Sequence, residues 1–328
     1  MLNACLICLL TFAQSPATQS PAVERPTVLV VVGAPGTEEY GKQFRAWAER
    51  WKSAAGRGNA EFTSIGLDEV SEDGADDDRA SVDDRDALKR EVTALGKQAG
   101  GQVWLVLIGH GTFDGKTAKF NLRGPDVSAA ELSGWLAGVE RPLAVIDATS
   151  ASGPFINELS APGRVIVTAT KSGFEHNFAR FGDYLSAAVA DPQADLDKDN
   201  QTSLLEAFLF ASSGVKEYYE SQGRLATEHA LIDDNGDRLA TPADWFHGLR
   251  AMKAAKDGAQ LDGLLASQFQ LVKSEGERRL SPAARRRRDE LEAEIAQLRL
   301  QKQKLAEDDY YRRLEPLVVE IARLYEDE

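Results

Sequence analysis

Residues Val103–Phe113 read VWLVLIGHGTF, and residues Leu143–Phe155 read LAVIDATSASGPF. Each stretch opens with an apolar run of strand length and closes on glycine and small polar residues. Such a run, apolar at every position, predicts a strand buried on both faces, as in a parallel sheet covered by helices. Ligands of open α/β sheets collect outside the carboxyl ends of these strands. At the first end stands His110, the side-chain type that exchanges a proton near neutrality. At the second stand Asp147, Thr149, Ser150 and Ser152. A base beside a hydroxyl is the minimum equipment for acyl transfer.

Outward from these two segments the pattern repeats. TVLVVVGAPG (Thr27 to Gly36), AEFTSIG (from Ala60) and GRVIVTAT (ending at Thr170) supply further strands. Between them lie helices: one carrying Tyr40, Phe44, Trp47 and Trp51 at core-facing spacing, one from Asp83 to Gln98, and one after a Ser128 cap. Strands alternating with helices imply βαβ crossovers, hence an α/β fold in three layers around a mainly parallel sheet. VVGAPG has neither the spaced glycines of a dinucleotide site nor the lysine of a phosphate loop, so Gly33 and Gly36 read as turn residues. From Phe178 the pattern turns helical, broken by two acidic loops, and no comparable strand follows Leu249. The expected organisation is a leader and linker over 1–26, an α/β domain over 27–248 and a helical extension over 249–328.

The chain has 328 residues and a formal charge of -14, which argues against a nucleic-acid partner. Much of the acid lies between Asp68 and Asp86 and reads as a solvated loop; RRLSPAARRRR, before the last helices, reads as a basic hinge. MLNACLICLLTFAQS resembles a short signal peptide without a basic start, and predicts export to the periplasm or beyond. It is too short to span a bilayer as a helix, so no stable transmembrane segment is expected once it is removed. Both cysteines, Cys5 and Cys8, lie inside it. The mature chain then has no disulfide, no thiolate metal site and no cysteine nucleophile.

The segment LVLIGHG, followed one βα unit later by AVIDATSASG, resembles the caspase-like cysteine peptidases, a group that includes caspases, metacaspases, legumain and gingipains. The pattern is most similar to legumain-like bacterial proteins and covers Thr27 to Ala190. The resemblance implies that His110 is the base and that Gly111 offers a backbone N–H to a tetrahedral oxyanion. Ser152 and Gly153 match the closing Ser-Gly, which puts Ser150 at the nucleophile position; counting forward from Asp147 puts Thr149 there instead. In either register the family's cysteine is replaced by a hydroxyl, which must lose its proton during attack and needs an accurately placed base. By the same resemblance Asp147 lines a pocket for a basic side chain, with an internal hydrogen-bond anchor as the alternative. Glu175 and Asp183, in the loop TATKSGFEHNFARFGDY after the next strand, would add negative charge, and Phe174 and Phe178 an apolar wall. His176 lies past the strand end and is the weaker candidate for a base.

These residues support a catalytically impaired pseudo-peptidase that binds an extended peptide. The alternatives are a serine-type endopeptidase using Ser150 or Thr149 with His110, with a preference for cutting after basic residues, and a non-catalytic assembly protein. None needs a cofactor for chemistry. Calcium is a separate expectation, since Asp195–Glu206 (DLDKDNQTSLLE) places oxygen donors at Asp195, Asp197, Asp199, Gln201, Ser203 and Glu206, the spacing of an EF-hand loop. Asp233–Asp244 is a weaker second loop through Asp233, Asn235, Asp237, Thr241 and Asp244. Scattered histidines disfavour zinc. Finally, Leu291, Ile295, Leu298 and Leu305 form one apolar stripe and Leu314, Leu317, Ile321 and Leu324 another, predicting a helical hairpin or an arm for homo-oligomers, with a kink or restart at Pro316.

Overall fold

The computed structural model describes residues 25–67, 83–253, 256 and 260–326. The leader and most of the acidic run fall outside the described residues. In chain order, β1 (Thr27–Val32), α1 (Glu38–Arg57), β2 (Glu61–Ile65), α2 (Asp84–Leu95) and β3 (Val103–Ile108) come first. A small antiparallel sheet follows, made of β4 (Gly111–Phe113), β5 (Ala118–Phe120) and β6 (Val127–Ser128). The chain continues through α3 (Ala129–Leu136), β7 (Leu143–Asp147), α4 (Phe155–Leu159), β8 (Arg164–Thr168), α5 (Phe181–Ala188) and α6 (Leu204–Ser221). Next come β9 (Leu231–Asp233), β10 (Thr241–Pro242) and the two-residue strands β11 (Phe246–His247) and β12 (Arg250–Ala251). Four helices close the chain: α7 (Leu264–Ser267), α8 (Glu275–Arg279), α9 (Pro282–Leu300) and α10 (Glu307–Glu326).

The main sheet runs β10-β9-β8-β7-β3-β1-β2, with β2, β1, β3, β7 and β8 parallel and β9 and β10 antiparallel. The period-2 alternation of strand side chains sorts its core into two layers. Val28, Val30, Val32, Trp104, Val106, Ile108 and Ile146 face α1, α5 and α6, packing on Phe44, Trp47, Trp51, Leu185 and Phe208. Leu29, Val31, Leu105, Leu107, Leu143 and Val145 face α2, α3 and α4, packing on Leu88, Val92, Leu132, Phe155 and Leu159. This is the three-layer α/β architecture that the strand composition predicts. Local chemistry sets several helix starts. Thr37 caps α1, and the Ser128–Glu131 pair closes a reciprocal capping box on α3.

Three readings change. Leu231–Asp233 and Thr241–Pro242, inside a region that reads as helix and loop, extend the sheet. Strands of three and two residues are too short to show a periodicity. Pro316 does not restart a helix, because α10 runs through it. Leu305 falls after a 3-10 turn beyond α9, so the buried stripe ends at Leu298. Ala266, Phe269 and Leu271, on the C-terminal side of Leu249, belong to the same core layer as Trp104 and Phe208.

Candidate functional site

Strand order reverses beside β1, since β2 lies on one side of it and β3 on the other. The loops after β1, β3 and β7 therefore meet at one edge of the sheet, where an open α/β fold leaves a crevice. The loop after β3 carries His110 and Gly111, and the loop after β7 carries Thr149 and Ser150. They touch closely. A Cβ added at Gly111 would stand 2.2 Å from the Ser150 carbonyl oxygen and 2.8 Å from Thr149 Oγ1, so only glycine fits.

The hydrogen bonds of this contact run between hydroxyl and backbone. Ser150 Oγ accepts from Gly111 N–H at 3.3 Å and donates to the Gly111 carbonyl at 3.2 Å. The N–H that would stabilise an oxyanion is thus occupied by a hydroxyl of the same chain. His110 Nε2 lies 3.2 Å from the Pro35 carbonyl, and among the described residues no hydrogen bond joins His110 to Ser150 or Thr149. The imidazole sits in an aromatic nest, with ring centroids 5.0 Å from Tyr40, 5.3 Å from Phe44 and 6.3 Å from Phe178. Helical spacing marks Tyr40 and Phe44 as core residues, but only the folded chain sets them against His110.

The β7 loop is held from beneath. Asp147, completely buried in the centre of the sheet, accepts from the Thr149 hydroxyl at 2.6 Å and from Thr149 N–H at 3.1 Å through one oxygen. Its other oxygen is buried with no partner among the described residues. Burial pushes the Asp147 carboxyl up to about 7, outweighing the Thr149 bonds that favour the charged form. Ala151 takes a left-handed conformation with φ of 55°, and its N–H donates to the Glu175 carbonyl at 2.9 Å. Ser152, also fully buried, bonds the Thr170 hydroxyl and accepts Thr170 N–H, each at 3.1 Å. At Gly153 a Cβ would lie 2.5 Å from the Lys171 carbonyl carbon, so this loop is clamped onto the one after β8.

The remaining acids have partners of their own. Glu175 Oε1 lies 2.6 Å from His229 Nδ1, and its other oxygen accepts from Lys171 N–H at 2.9 Å. Asp183, on α5, pairs with Arg50 of α1 at 2.6 Å. His176 is exposed and meets Phe174 edge-on, while Phe174, 71% exposed, meets Phe113 in the same way. The Glu175–His229 pair has no signal in sequence, since the partners lie 54 residues apart.

The loop between α5 and α6 brings one ligand atom each from Asp195, Asp197 and Asp199 within 4.8 Å of one another. Lys198 and Asn200 take left-handed conformations, with φ of 66° and 68°, and Asp195 accepts from Asn200 N–H at 3.1 Å. Glu206 is turned to the loop backbone, accepting from Leu196 N–H at 2.7 Å and Ser203 N–H at 2.8 Å, while Ser203 caps α6. Gln201 bonds Asp199 with its amide nitrogen and accepts Ser274 N–H with its amide oxygen. Burial, then the charges of Asp199, Glu206 and Asp195, raise the Asp197 carboxyl to about 6. In the Asp233 loop, Asp233 accepts from Ser160 and Gly236, and Thr241 donates to Asp262.

No family model and no curated protein matches the chain. Among solved structures, caspase-1 from Spodoptera frugiperda is similar with a TM-score of 0.40 at 8% identity, covering 69% of this chain and 94% of that one. The Drosophila initiator caspase Dronc is similar with a TM-score of 0.39 at 14% identity, covering 65% and 80%. These are distant structural likenesses. Among the described residues no helix is long and apolar enough to cross a membrane.

Proposed function

We propose that the chain is a caspase- and legumain-like pseudo-peptidase that holds an extended peptide at the carboxyl edge of its sheet without cutting it. One observation carries the non-cleaving part: the Ser150 hydroxyl is engaged with both backbone groups of Gly111, while His110 is turned to the Pro35 carbonyl. A hydroxyl nucleophile needs its base within hydrogen-bond reach, and an oxyanion needs a free N–H. The Thr149 hydroxyl is likewise directed to Asp147. The half-buried rings of Tyr40 and Phe178 beside His110, and the exposed Phe174, offer surface for peptide side chains.

Incubation of the full chain with a fluorogenic peptide library should give binding without turnover. Hydrolysis lost in both His110→Ala and Ser150→Ala would establish the serine-type endopeptidase instead. We further infer that the Asp195–Glu206 loop takes calcium, because three carboxylates already converge there and the ion prefers oxygen donors.

A further inference from the structure

The last helix carries a face that the rest of the fold leaves uncovered. α10 packs chiefly on α9. Its Glu320 pairs with Arg287 of α9 at 2.7 Å, its Tyr325 hydroxyl accepts from Arg288 at 3.2 Å, and its Tyr310 is buried. At about 100° per residue these three contacts occupy one side of the helix. The opposite side presents Arg312, Glu315, Val319, Ala322, Arg323 and Glu326, all exposed, with Val318 at its margin. The steps 312, 315, 319, 322 and 326 are those of a seam that meets another helix. Among the described residues neither Glu315 nor Arg323 forms a salt bridge, and Arg312 has only a surface pair with Asp309, one turn away. The order of residues along this helix is symmetric about Val319. Read in reverse, Arg312 falls opposite Glu326, Glu315 opposite Arg323, Leu314 opposite Leu324 and Leu317 opposite Ile321. Between Arg312 and Glu326 no position falls opposite a like charge.

We propose that this face binds the same face of a second copy of the chain, with the two α10 helices antiparallel and Val319 at the two-fold axis. A two-fold contact is isologous, so each cross-pair occurs twice, Arg312 with Glu326 and Glu315 with Arg323. These pairs flank an apolar centre made by Val319 and Ala322, whose small side chains let the two helix backbones approach closely. A parallel arrangement would set Glu315 on Glu315 and Arg323 on Arg323, so the charge order selects the antiparallel one. The hairpin of α9 and α10 stands at the amino edge of the main sheet. Gln102, just before β3, donates to the Gln268 carbonyl at 2.7 Å, and Gln268 in turn donates to Glu292 of α9. His110 lies past the other end of β3. A dimer formed through α10 therefore leaves the carboxyl edge open in both copies.

The test uses the full chain and reads its mass by sedimentation and light scattering over a concentration series. The expected result for the parent is a dimer that forms as concentration rises. Glu315→Arg and Arg323→Glu each set like charges against one another at both cross-pairs, and each should weaken the dimer about tenfold or more. Mixing these two single variants in equal amounts should restore the dimer, because each supplies the charge that the other lacks. The Glu315→Arg, Arg323→Glu double variant should dimerise like the parent. Both positions are exposed, so the circular dichroism spectrum of each variant should match the parent, which separates a lost contact from a lost fold. Arg312→Glu and Glu326→Arg should show the same reciprocal behaviour at the outer pair. A parent that stays monomeric throughout would overturn the proposal and leave the face to a different protein. Single variants that dimerise as tightly as the parent would place the dimer contact elsewhere. A mixture of the two single variants that stays monomeric would overturn the antiparallel pairing.

Discussion

Asp147 concentrates the chemistry of the site in one buried carboxyl. One oxygen organises Thr149, and the other has no partner among the described residues, so the neutral form suits its surroundings better than the anion. Its folded value of about 7 lies above that of the unfolded chain, near 3.9. Between these values the unfolded state binds fewer protons than the folded one, so unfolding free energy falls as pH rises. The contribution is fully present below about pH 4 and is lost by the time pH passes 7, with a ceiling of about 4 kcal/mol. Asp147→Asn keeps an acceptor for Thr149 and cannot ionise. Urea unfolding across pH 4 to 8 should therefore show a shallower decline in Asp147→Asn than in the parent, and identical slopes would refute this account. Gly111 is the second residue-scale constraint. Gly111→Ala drives a methyl into the Ser150 carbonyl, so the two loops must separate, and a loss of about 2 kcal/mol or more in the same unfolding assay is expected.

At the scale of elements, the loop joining α5 to α6 combines two kinds of order. Its caps and left-handed residues hold the backbone in place, while Asp195, Asp197 and Asp199 crowd negative charge into a small volume. A divalent cation relieves that repulsion, and an ion that binds only the folded chain stabilises it by mass action. Millimolar calcium added to EDTA-treated protein should raise the melting temperature by a few degrees, and the Asp195→Ala, Glu206→Ala double variant should not respond. Absence of calorimetric heat in the parent would remove calcium from this loop. The Gln201 side chain bonds Ser274, the cap of α8, so ordering of the loop reaches the C-terminal helices through that contact.

Across the whole molecule, the C-terminal helices are tied to one another by buried contacts. Arg288 of α9, 6% exposed, forms an ion pair with Glu277 of α8, 1% exposed, and also bonds the Tyr325 hydroxyl of α10. Gln268 connects this region to the sheet through Gln102 and to α9 through Glu292. Breaking a buried ion pair on one side leaves the other charge poorly compensated, so Glu277→Gln should cost about 3 kcal/mol in unfolding free energy. A change under about 0.5 kcal/mol would mean that Asp289 and Glu292 compensate for Arg288 on their own. α10 keeps Val318 and Val319 exposed, at 49% and 40%, so self-association through this helix is best tested on the intact chain by light scattering.

What could be read in sequence was whatever depends on near neighbours. Apolar runs such as TVLVVV and VWLVLI identify doubly buried strands, Ser128 identifies a helix start, and the Asp195–Glu206 rhythm identifies a loop rich in oxygen donors. These follow from periodicity and capping, which act over a few residues. The same reasoning placed His110 and Ser150 at adjacent strand ends. It did not reach the orientation of either side chain. His110 meets a carbonyl 75 residues away, Ser150 a glycine 39 residues away, and Glu175 a histidine 54 residues away. Such partners are chosen by strand order, loop clamps and the packing of Tyr40, Phe44 and Phe178, which no local pattern contains. The short strands β9 and β10 depend in the same way on a sheet edge already formed by β8. Local chemistry thus determined the elements and the types of residue at the edge, and tertiary packing decided which of those residues face one another.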